Sequence, residues 1–479
     1  MRIRLAAAAL ALLTPGAGAA TDVLILKDGR RLEGEITVSG PSRVRTGGAE
    51  IRLSEIASAE GGPARLRAAL LLDAFLKEAD DARAEALAAA IVALDLEPAE
   101  FAACAREDRA TELPPPGIVE RRVVVRHDRT EAAAHVVVPA SAPRDGALAP
   151  LVVALHGTGG NGADVARFYA PLAERFGVVV ACPTATFNRE SGWGATDAER
   201  SLPRSLVRDL LAEMPIDPDR VYATGWSMGG HASWDLGLHD PSLFAALMPI
   251  VGGPFFRYYP LLSNLVSTPI YDIQGADDDP DLVAAQRLGV ARLKALGARE
   301  LVYRELEGRG HEFFDDLVPA GLEWLLAKKR DPLPKKIRFT TIHERSLSSA
   351  WVRIETLASD AWLPSRPLKV RTRAPKDEDA KQRMFREAME AQAARIEASI
   401  DSPSRISVKT RGIDSYSLLL LDGLLDFDRD LWVNTNGRRS YSGRPQRDPR
   451  LLLRTLRATA DRARLVWAEV TVDGPASGR

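Results

Sequence analysis

A serine between two glycines, at the junction of a predicted strand and a predicted helix, is the feature that most constrains the fold of this chain. Residues 225–229 read Gly-Trp-Ser-Met-Gly. Residues 219–224 before them have the apolar pattern of a short strand, and residues 230–236 after them begin a helical pattern. Glycines on both sides of Ser227 let the strand and the helix approach closely through a sharp turn. The pattern therefore predicts a layered α/β structure with the Ser227 hydroxyl exposed at an edge of the sheet.

Three further segments carry reactive side chains at the ends of predicted strands or in glycine-rich loops. Residues 150–157 are an apolar run that ends in His-Gly. Residues 269–273 are a second predicted strand, which leads into three acidic residues at 277–279. His311 follows two glycines in the sequence Gly-Arg-Gly-His. Along the chain, the order is His-Gly loop, serine, acid and histidine. This order predicts that the four segments together form a single hydrolytic site.

Ser227 and His311 are predicted to act as nucleophile and general base. A serine hydroxyl is a weak nucleophile until a base takes its proton. A histidine side chain ordinarily titrates near ~6.5, so it can take and return a proton at neutral pH. An acid must fix the tautomer of that histidine, and Asp277, Asp278 and Asp279 all follow the strand. The residues alone leave the choice between Asp277 and Asp278 open, and the other acids of the run are predicted to be solvated.

Two backbone N–H groups are predicted to bind the oxyanion that forms when a carbonyl group is attacked. One belongs to Met228, at the start of the predicted helix, where the helix dipole adds positive potential. The other belongs to Thr158 in the glycine-rich loop. His156 is predicted to order that loop by hydrogen bonding, with the role of a second base as the less favoured interpretation. His231 is predicted to be structural.

Two tryptophans are predicted to shape a substrate-binding pocket. Trp226 directly precedes Ser227 and can pack under the turn. Trp193 lies in a loop after a predicted strand at residues 178–181, at the same edge of the sheet. There it can line a subsite for an acyl or aromatic group, and packing within the loop is the alternative.

Composition limits the partners and cofactors that the chain can be expected to use. With 64 basic and 65 acidic residues, the formal net charge is −1, which gives no indication of a nucleic-acid partner. The sequence contains no glycine-rich phosphate loop and no cluster with metal-ligand spacing, so neither a cofactor nor a metal is predicted. Cys104 and Cys182 lie far apart, and two buried free thiols are favoured over a disulfide.

The first 20 residues are predicted to be a secretory signal peptide. Arg2 and Arg4 form a charged start, residues 5–13 are an apolar run too short to span a bilayer, and residues 17–20 offer an A-x-A cleavage site. A disordered alanine-rich leader is the alternative. No later segment is apolar enough for a membrane helix. We therefore expect export to the periplasm or the extracellular space, without an integral membrane segment.

The chain of 479 residues is long enough for several domains. Residues 21–60 have a hairpin pattern similar to that of small SH3-like or Sm-like barrels, and residues 61–112 are predicted to form a helical hairpin. A proline-rich linker precedes an α/β catalytic domain at 118–330, built on a mainly parallel sheet with flanking helices. After a second linker, residues 335–475 are predicted to form a β-rich accessory domain.

One charged helix is predicted within that accessory domain. Its apolar stripe consists of Phe385, Met389, Ala393, Ile396 and Ile400. Spacing of three or four residues puts such side chains on one face of a helix. The stripe is interpreted as core packing, in preference to a binding groove.

The predicted catalytic domain resembles the esterase branch of the α/β-hydrolases, on the motifs above and on residues 216–230. It is similar to exported polyhydroxybutyrate-depolymerase-like and feruloyl-esterase-like proteins and to the phospholipase/carboxylesterase group. The resemblance implies an α/β-hydrolase fold with Ser227 and His311 as catalytic residues. It also places the acid three residues beyond the loop glycine, which selects Asp278. One departure is Gln274, where relatives often carry histidine, and no effect on the catalytic residues is expected from it.

The leading functional hypothesis is an exported serine hydrolase that cleaves small or polymeric carboxylic esters through an acyl-enzyme. A serine peptidase of prolyl-oligopeptidase type is the first alternative, although such peptidases normally carry a large gating domain before the catalytic one. A non-catalytic binding or scaffold protein on a hydrolase fold is the second. The terminal domains could contact a cell-surface polymer, a protein partner or the catalytic domain itself.

Overall fold

The computed structural model describes residues 22–474, apart from residues 41, 42, 47, 108, 110, 127, 145, 186–192, 194, 195, 345, 346 and 371–376. The predicted signal peptide lies outside the described residues, as do most neighbours of Trp193. None of the described helices is both long enough and apolar enough to cross a membrane.

The N-terminal part of the described chain contains six short strands and three helices. The strands are β1 (Val23–Leu26), β2 (Arg31–Glu33), β3 (Thr37–Gly40), β4 (Arg43–Thr46), β5 (Ala49–Arg52) and β6 (Ile56–Glu60). They form two sheets, with the orders β2-β1-β6 and β3-β4-β5. The helices are α1 (Ala64–Lys77), α2 (Asp81–Val92) and α3 (Pro98–Glu107). The prediction of a helical hairpin, which has two helices, is therefore wrong, because the described residues of this segment form three. In α3, Pro98 is the first residue, where its missing N–H costs no hydrogen bond, and Phe101 is buried.

A central sheet of eight strands follows. Its strands are β7 (Gly117–Val124), β8 (Glu131–Val138), β9 (Ala149–Leu155), β10 (Val179–Pro183), β11 (Ile216–Trp226), β12 (Ala246–Ile250), β13 (Ile270–Gly275) and β14 (Leu301–Leu306). The order across the sheet is β14-β13-β12-β11-β9-β10-β8-β7. β9 to β14 pair in parallel, while β8 pairs antiparallel with both β7 and β10. The predicted α/β fold with a mainly parallel sheet is confirmed.

Helices cover both faces of the central sheet. They are α4 (Gly162–Phe176), α5 (Asp197–Glu213), α6 (Met228–His239), α7 (Pro280–Leu296) and α8 (Val318–Leu326). Consecutive side chains of a strand point to opposite faces. Val152 of β9 accordingly belongs to the core under α4 and α8, and Val153 to the core under α5, α6 and α7. Burial on both faces explains why these strands read as uninterrupted apolar runs.

The C-terminal part is β-rich, as expected, and its described residues form two sheets and two helices. The strands are β15 (Lys336–Thr341), β16 (Ser348–Ser349), β17 (Val352–Leu357), β18 (Ala394–Ser402), β19 (Arg405–Arg411), β20 (Ile413–Leu421), β21 (Leu431–Thr435), β22 (Arg438–Gly443) and β23 (Val466–Asp473). The sheets have the orders β15-β18-β19-β21-β22 and β16-β17-β20-β23. The helices are α9 (Glu378–Gln392) and α10 (Pro449–Thr459), so the prediction of a single helix was one too few.

The predicted helical stripe is wrong in its second half. α9 ends at Gln392, and Ile396 and Ile400 lie in β18. β18 pairs with β15 on one side and with β19 on the other. Because both neighbouring strands provide hydrogen-bond partners, this pairing overrides the helical spacing of the apolar residues.

The three parts of the chain share one apolar core. A single buried cluster contains Leu72 of α1, Leu206 of α5 and Trp467 of β23. Both cysteines are buried free thiols, as predicted. The predicted linkers at 113–117 and 331–334 therefore join parts that are packed together.

Candidate active site

Ser227 occupies the sharp turn between β11 and α6. Its backbone has φ 58° and ψ −118°, a conformation that is strained for a residue with a side chain. The glycines on either side make the turn possible. A Cβ atom on Gly225 would lie 2.3 Å from the carbonyl oxygen of Gly229, and one on Gly229 would lie 2.3 Å from the carbonyl oxygen of Leu155. The Ser227 N–H donates to the carbonyl of Ile250 at 2.9 Å, which fixes the turn to the sheet.

A continuous chain of hydrogen bonds joins Ser227, His311 and Asp278. The Ser227 hydroxyl lies 2.8 Å from Nε2 of His311. Nδ1 of His311 lies 2.9 Å from Oδ2 and 3.0 Å from Oδ1 of Asp278. The Asp278 side chain is 3% exposed and that of His311 is 38% exposed. A buried carboxylate thus holds a histidine whose other nitrogen faces a surface-accessible hydroxyl.

Among the acids after β13, Asp278 is the one that reaches His311. Asp277 is exposed, and its N–H donates to the carbonyl of Arg309 at 2.9 Å. Asp279 instead caps α7 by accepting from the N–H groups of Asp281 and Leu282. The spacing of three residues beyond the loop glycine, which the resemblance implies for the acid and which selects Asp278 over Asp277, therefore agrees with this geometry.

Glycine also brings the acid loop and the histidine loop together. A Cβ atom on Gly275 would lie 2.2 Å from the carbonyl oxygen of Gly310. The two loops are further joined by the hydrogen bond from the Asp277 N–H to Arg309. Close backbone contact at this point sets the distance between Asp278 and His311.

The two N–H groups predicted to bind an oxyanion lie at adjoining segments. Met228 is the first residue of α6, whose start packs against the end of β9 at Gly229. Thr158 is exposed in the loop that follows β9. Within the described part of the chain, neither N–H has a hydrogen-bond acceptor. Both are therefore available to a bound ligand.

His156 and His231 are held by backbone groups. Nδ1 of His156 lies 2.7 Å from the carbonyl oxygen of Gly157, and its Nε2 accepts from the N–H of Ala185 at 3.0 Å. Burial lowers the pKa of His156, which favours the neutral ring that this bonding requires. Nδ1 of His231 lies 2.5 Å from the carbonyl oxygen of Gly253, and burial also lowers the pKa of His231. These contacts fit the loop-ordering and structural roles predicted for the two residues.

Trp226 and Trp193 have different environments. The Trp226 indole N–H donates to the carbonyl of Glu312 at 2.8 Å, and its ring centroid lies 5.6 Å from that of His311. Trp226 therefore forms a wall beside the histidine. Trp193 is buried, and its indole N–H donates to the carbonyl of His156 at 3.1 Å. That contact corresponds to the alternative interpretation of Trp193, packing behind the loop.

One contact was not anticipated from the sequence. Nε2 of Gln274, at the end of β13, donates to Oδ2 of Asp278 at 3.0 Å. The only signal for it in the sequence is the position of Gln274 directly before the loop glycine. Within the described residues, no group of three or more His, Cys, Asp or Glu side chains has the arrangement of a metal site.

No family model matches the chain. It is 31% identical over 157 residues to the protein named "Putative esterase NocK" from Nocardia uniformis subsp. tsuyamanensis, which covers 28% of this chain and 44% of that protein. It is 33% identical over 129 residues to poly(3-hydroxyalkanoate) depolymerase C from Paucimonas lemoignei, which covers 25% of this chain and 30% of that protein. The chain thus spans less than half the length of either relative.

The solved structures to which parts of the chain are similar include a thermostable esterase and an acetyl xylan esterase from Aspergillus awamori. The first has a TM-score of 0.37 at 25% identity and covers 44% of this chain and 63% of that chain. The second has a TM-score of 0.37 at 16% identity and covers 43% of this chain and 98% of that chain.

The parallel sheet, the strained serine between β11 and α6, and the order of serine, acid and histidine define an α/β-hydrolase. Within that class, the part of the chain that matches is similar in sequence to a protein named as an esterase and to a poly(3-hydroxyalkanoate) depolymerase.

Proposed function

We propose that the protein is an exported serine hydrolase that cleaves carboxylic esters through an acyl-enzyme intermediate. The observation that carries the proposal is the hydrogen-bonded chain from Ser227 through His311 to Asp278. In this arrangement Ser227 is the nucleophile, His311 the base and Asp278 the orienting acid.

In the first half of the reaction, Oγ of Ser227 attacks the carbonyl carbon of the ester while its proton passes to Nε2 of His311. Asp278 accepts a hydrogen bond from Nδ1–H and stabilises the imidazolium that forms. The backbone N–H groups of Thr158 and Met228 donate to the developing oxyanion. When the tetrahedral intermediate collapses, the alcohol leaves with the proton from His311 and the acyl group stays on Ser227.

In the second half, water replaces the alcohol. His311 takes a proton from the water as its oxygen attacks the acyl carbon, and the same N–H groups stabilise the second oxyanion. Collapse returns the proton to Oγ of Ser227 and releases the carboxylic acid.

The nature of the ester is proposed at the level of class. The relatives are named as an esterase and as a poly(3-hydroxyalkanoate) depolymerase, which supports both small and polymeric esters as candidate substrates. Export is proposed from the pattern of residues 1–20, a charged start, a short apolar run and a small-residue cleavage site.

The test is hydrolysis of short aryl esters by purified protein and by two alanine variants. Ser227→Ala is expected to lower kcat by about 10³-fold or more, since no other group can form the acyl-enzyme. The matched control is Ser233→Ala, at a buried serine in α6 whose hydroxyl donates to the carbonyl of Gly229. It should keep kcat within about twofold. A Ser227→Ala protein with the wild-type rate would rule out the proposed mechanism.

Substrate class is tested with a panel of acetyl, longer-acyl, feruloyl and polyester esters beside peptide anilides. We expect turnover of esters and none of the anilides above the Ser227→Ala background. Preferential cleavage of the anilides would instead support a peptidase.

A further inference from the structure

Gln274 is a fully buried amide whose hydrogen bonds point at the candidate catalytic acid. Its side chain is 0% exposed. Nε2 donates to Oδ2 of Asp278 at 3.0 Å and to the carbonyl oxygen of Gly275 at 3.2 Å. Among the described residues, its Oε1 has no hydrogen-bond partner. The NH2 group of this amide therefore forms hydrogen bonds, while its oxygen is buried without a partner among the described residues.

Such an arrangement has a cost that packing alone does not justify. Leaving a buried carbonyl oxygen unpaired is destabilising. A methionine has nearly the same length and shape and would fill the site without that cost. What the amide at position 274 supplies and an apolar side chain would not is the hydrogen-bond donor to Asp278.

The donor completes a set of contacts that fixes the plane of the Asp278 carboxylate. Oδ1 accepts from the N–H of Asp279 at 2.7 Å, and Oδ2 accepts from Gln274. With one fixed donor on each oxygen, rotation of the carboxylate about its Cβ–Cγ bond is restricted. The remaining acceptor positions of both oxygens face Nδ1 of His311, at 2.9 and 3.0 Å.

We propose that Gln274 is a positioning residue of the proposed hydrolase, acting on His311 through Asp278. The inference rests on the proposed function. A neutral N–H donor orients the carboxylate and favours its ionised form without adding a charge. Asp278 can then hold His311 in the tautomer with the proton on Nδ1, so that Nε2 is free to accept from Ser227.

Gln274→Met removes the donor and the unpaired oxygen together. We expect kcat to fall about 10- to 100-fold with KM nearly unchanged, because the groups that touch the substrate stay in place. The melting temperature should stay close to that of the wild type, since a buried unpaired oxygen is removed along with the two hydrogen bonds of Nε2. A purely structural glutamine would give the reverse, a lower melting temperature and an unchanged kcat.

Gln274→Glu has the same shape and supplies a pH-dependent readout. While the new carboxyl group is protonated, its O–H can donate to Asp278 as the amide does. Once it ionises, two carboxylates face each other at hydrogen-bond distance, which disfavours the arrangement. We expect a decline of kcat with rising pH that the wild type lacks. This variant also decides the matter if Gln274→Met does not fold.

The matched control is Gln286→Met. Gln286 is also a fully buried glutamine that donates to a buried aspartate, Asp272, and whose Oε1 is unpaired among the described residues. Its replacement should leave kcat and the shape of the pH–kcat profile unchanged.

Three variants assayed together separate the possible failures. If Ser227→Ala is active, the proposed function fails and the inference fails with it. If Ser227→Ala is inactive while both Gln274 variants keep the wild-type kcat and pH profile, the proposed function stands and the role of Gln274 is wrong.

Discussion

At the scale of single residues, the candidate site consists of Ser227 in a strained turn, His311 hydrogen-bonded to it, and the buried Asp278, which accepts from Gln274. The glycines around Ser227 and those before His311 mark tight turns, and tight turns can be read locally. The choice of Asp278 over Asp277 depends on the spacing from the loop glycine that the resemblance to α/β-hydrolases implies. The contact of Gln274 with Asp278 could not be predicted, because it depends on how the loop after β13 folds back over the strand.

Asp278 and Asp277 provide a matched pair of substitutions in one loop. Asp278→Asn keeps the shape of the side chain but removes the charge and favours the wrong tautomer of His311, so kcat should fall by about 10²–10⁴-fold. Asp277→Asn should leave kcat within about twofold, because Asp277 is exposed and its N–H, not its side chain, contacts the histidine loop. Steady-state kinetics on an aryl ester measures both. Equal losses in the two variants would contradict the assignment.

Asp272 is a buried carboxyl group in β13 with one hydrogen bond, accepted from Nε2 of Gln286. Burial raises the pKa of Asp272 to about 8. Oδ2 of Asp272 and Oε1 of Gln286 have no partner among the described residues. A proton on Oδ2 could be donated to Oε1, and acid and amide would then pair through two hydrogen bonds.

This pairing predicts how Asp272 affects stability as a function of pH. The folded-state pKa lies above the unfolded value of about 4, so the contribution of the group is full below pH ~4 and is lost as pH rises through ~8. Asp272→Asn can make the same two hydrogen bonds without titrating. We expect its melting temperature to exceed that of the wild type by about 2–4 °C at pH 8.5, with little difference at pH 4. Asp360→Asn, at an exposed aspartate, is the control, and a constant offset at both pH values would contradict the pairing.

At the scale of elements, helices and strands with a strong hydrophobic periodicity can be predicted from the sequence. A segment whose pattern fits both a helix and a strand cannot be assigned in this way. β9 and β10 are apolar throughout because both faces of the sheet are covered, and this pattern is visible in the sequence. The residues of β18 have helical spacing as well as strand alternation. Only the positions of β15 and β19 decide between the two, and those strands lie elsewhere in the chain.

The turn between β11 and α6 predicts a steep cost for any side chain at Gly225. Its Cβ would meet backbone atoms of Gly229, which have no room to shift. We expect Gly225→Ala to lower the free energy of unfolding by about 1–3 kcal/mol. It should also lower kcat by displacing Ser227. Gly40→Ala is the control because a Cβ there has nothing within 4 Å. Denaturant unfolding and ester hydrolysis give the two readouts, and a Gly225→Ala protein equal to Gly40→Ala in both would refute the expectation.

At the scale of the whole molecule, charged groups join the N-terminal, central and C-terminal parts. Arg330, after α8, forms ion pairs with Asp219 at 3.0 Å and with Asp461 at 2.7 Å. Arg462 forms a buried ion pair with Asp73 of α1. Breaking a buried pair by removing one partner leaves an uncompensated charge, which is strongly destabilising. The two proline-containing linkers predict separable domains, and the ion pairs between the parts could not be predicted. A sequence shows which segments are polar, but it does not show which distant charged residues will form ion pairs.

His343 lies at the contact between the C-terminal part and the central helices. Its ring centroid is 4.9 Å from that of His239 in α6 and 5.7 Å from that of Tyr258. Burial, followed by the charges of His239 and Arg200, lowers the pKa of His343 to about 4. Asp197 and Asp235 act in the opposite direction. The neutral ring is therefore the form that fits this contact.

Acidification is expected to weaken the contact at His343. The folded-state pKa lies below the unfolded value of about 6.5, so between these values the unfolded chain binds more protons. The contribution of His343 is therefore full above pH ~6.5 and is lost as pH falls towards ~4, by about 2 kcal/mol after allowance for solvent screening. His343→Gln cannot take up the proton, so the drop in its melting temperature from pH 7 to pH 4.5 should be smaller than that of the wild type. His135→Gln, in β8 and outside this contact, is the control. The same drop in His343→Gln and wild type would mean that other groups set the acid sensitivity of the fold.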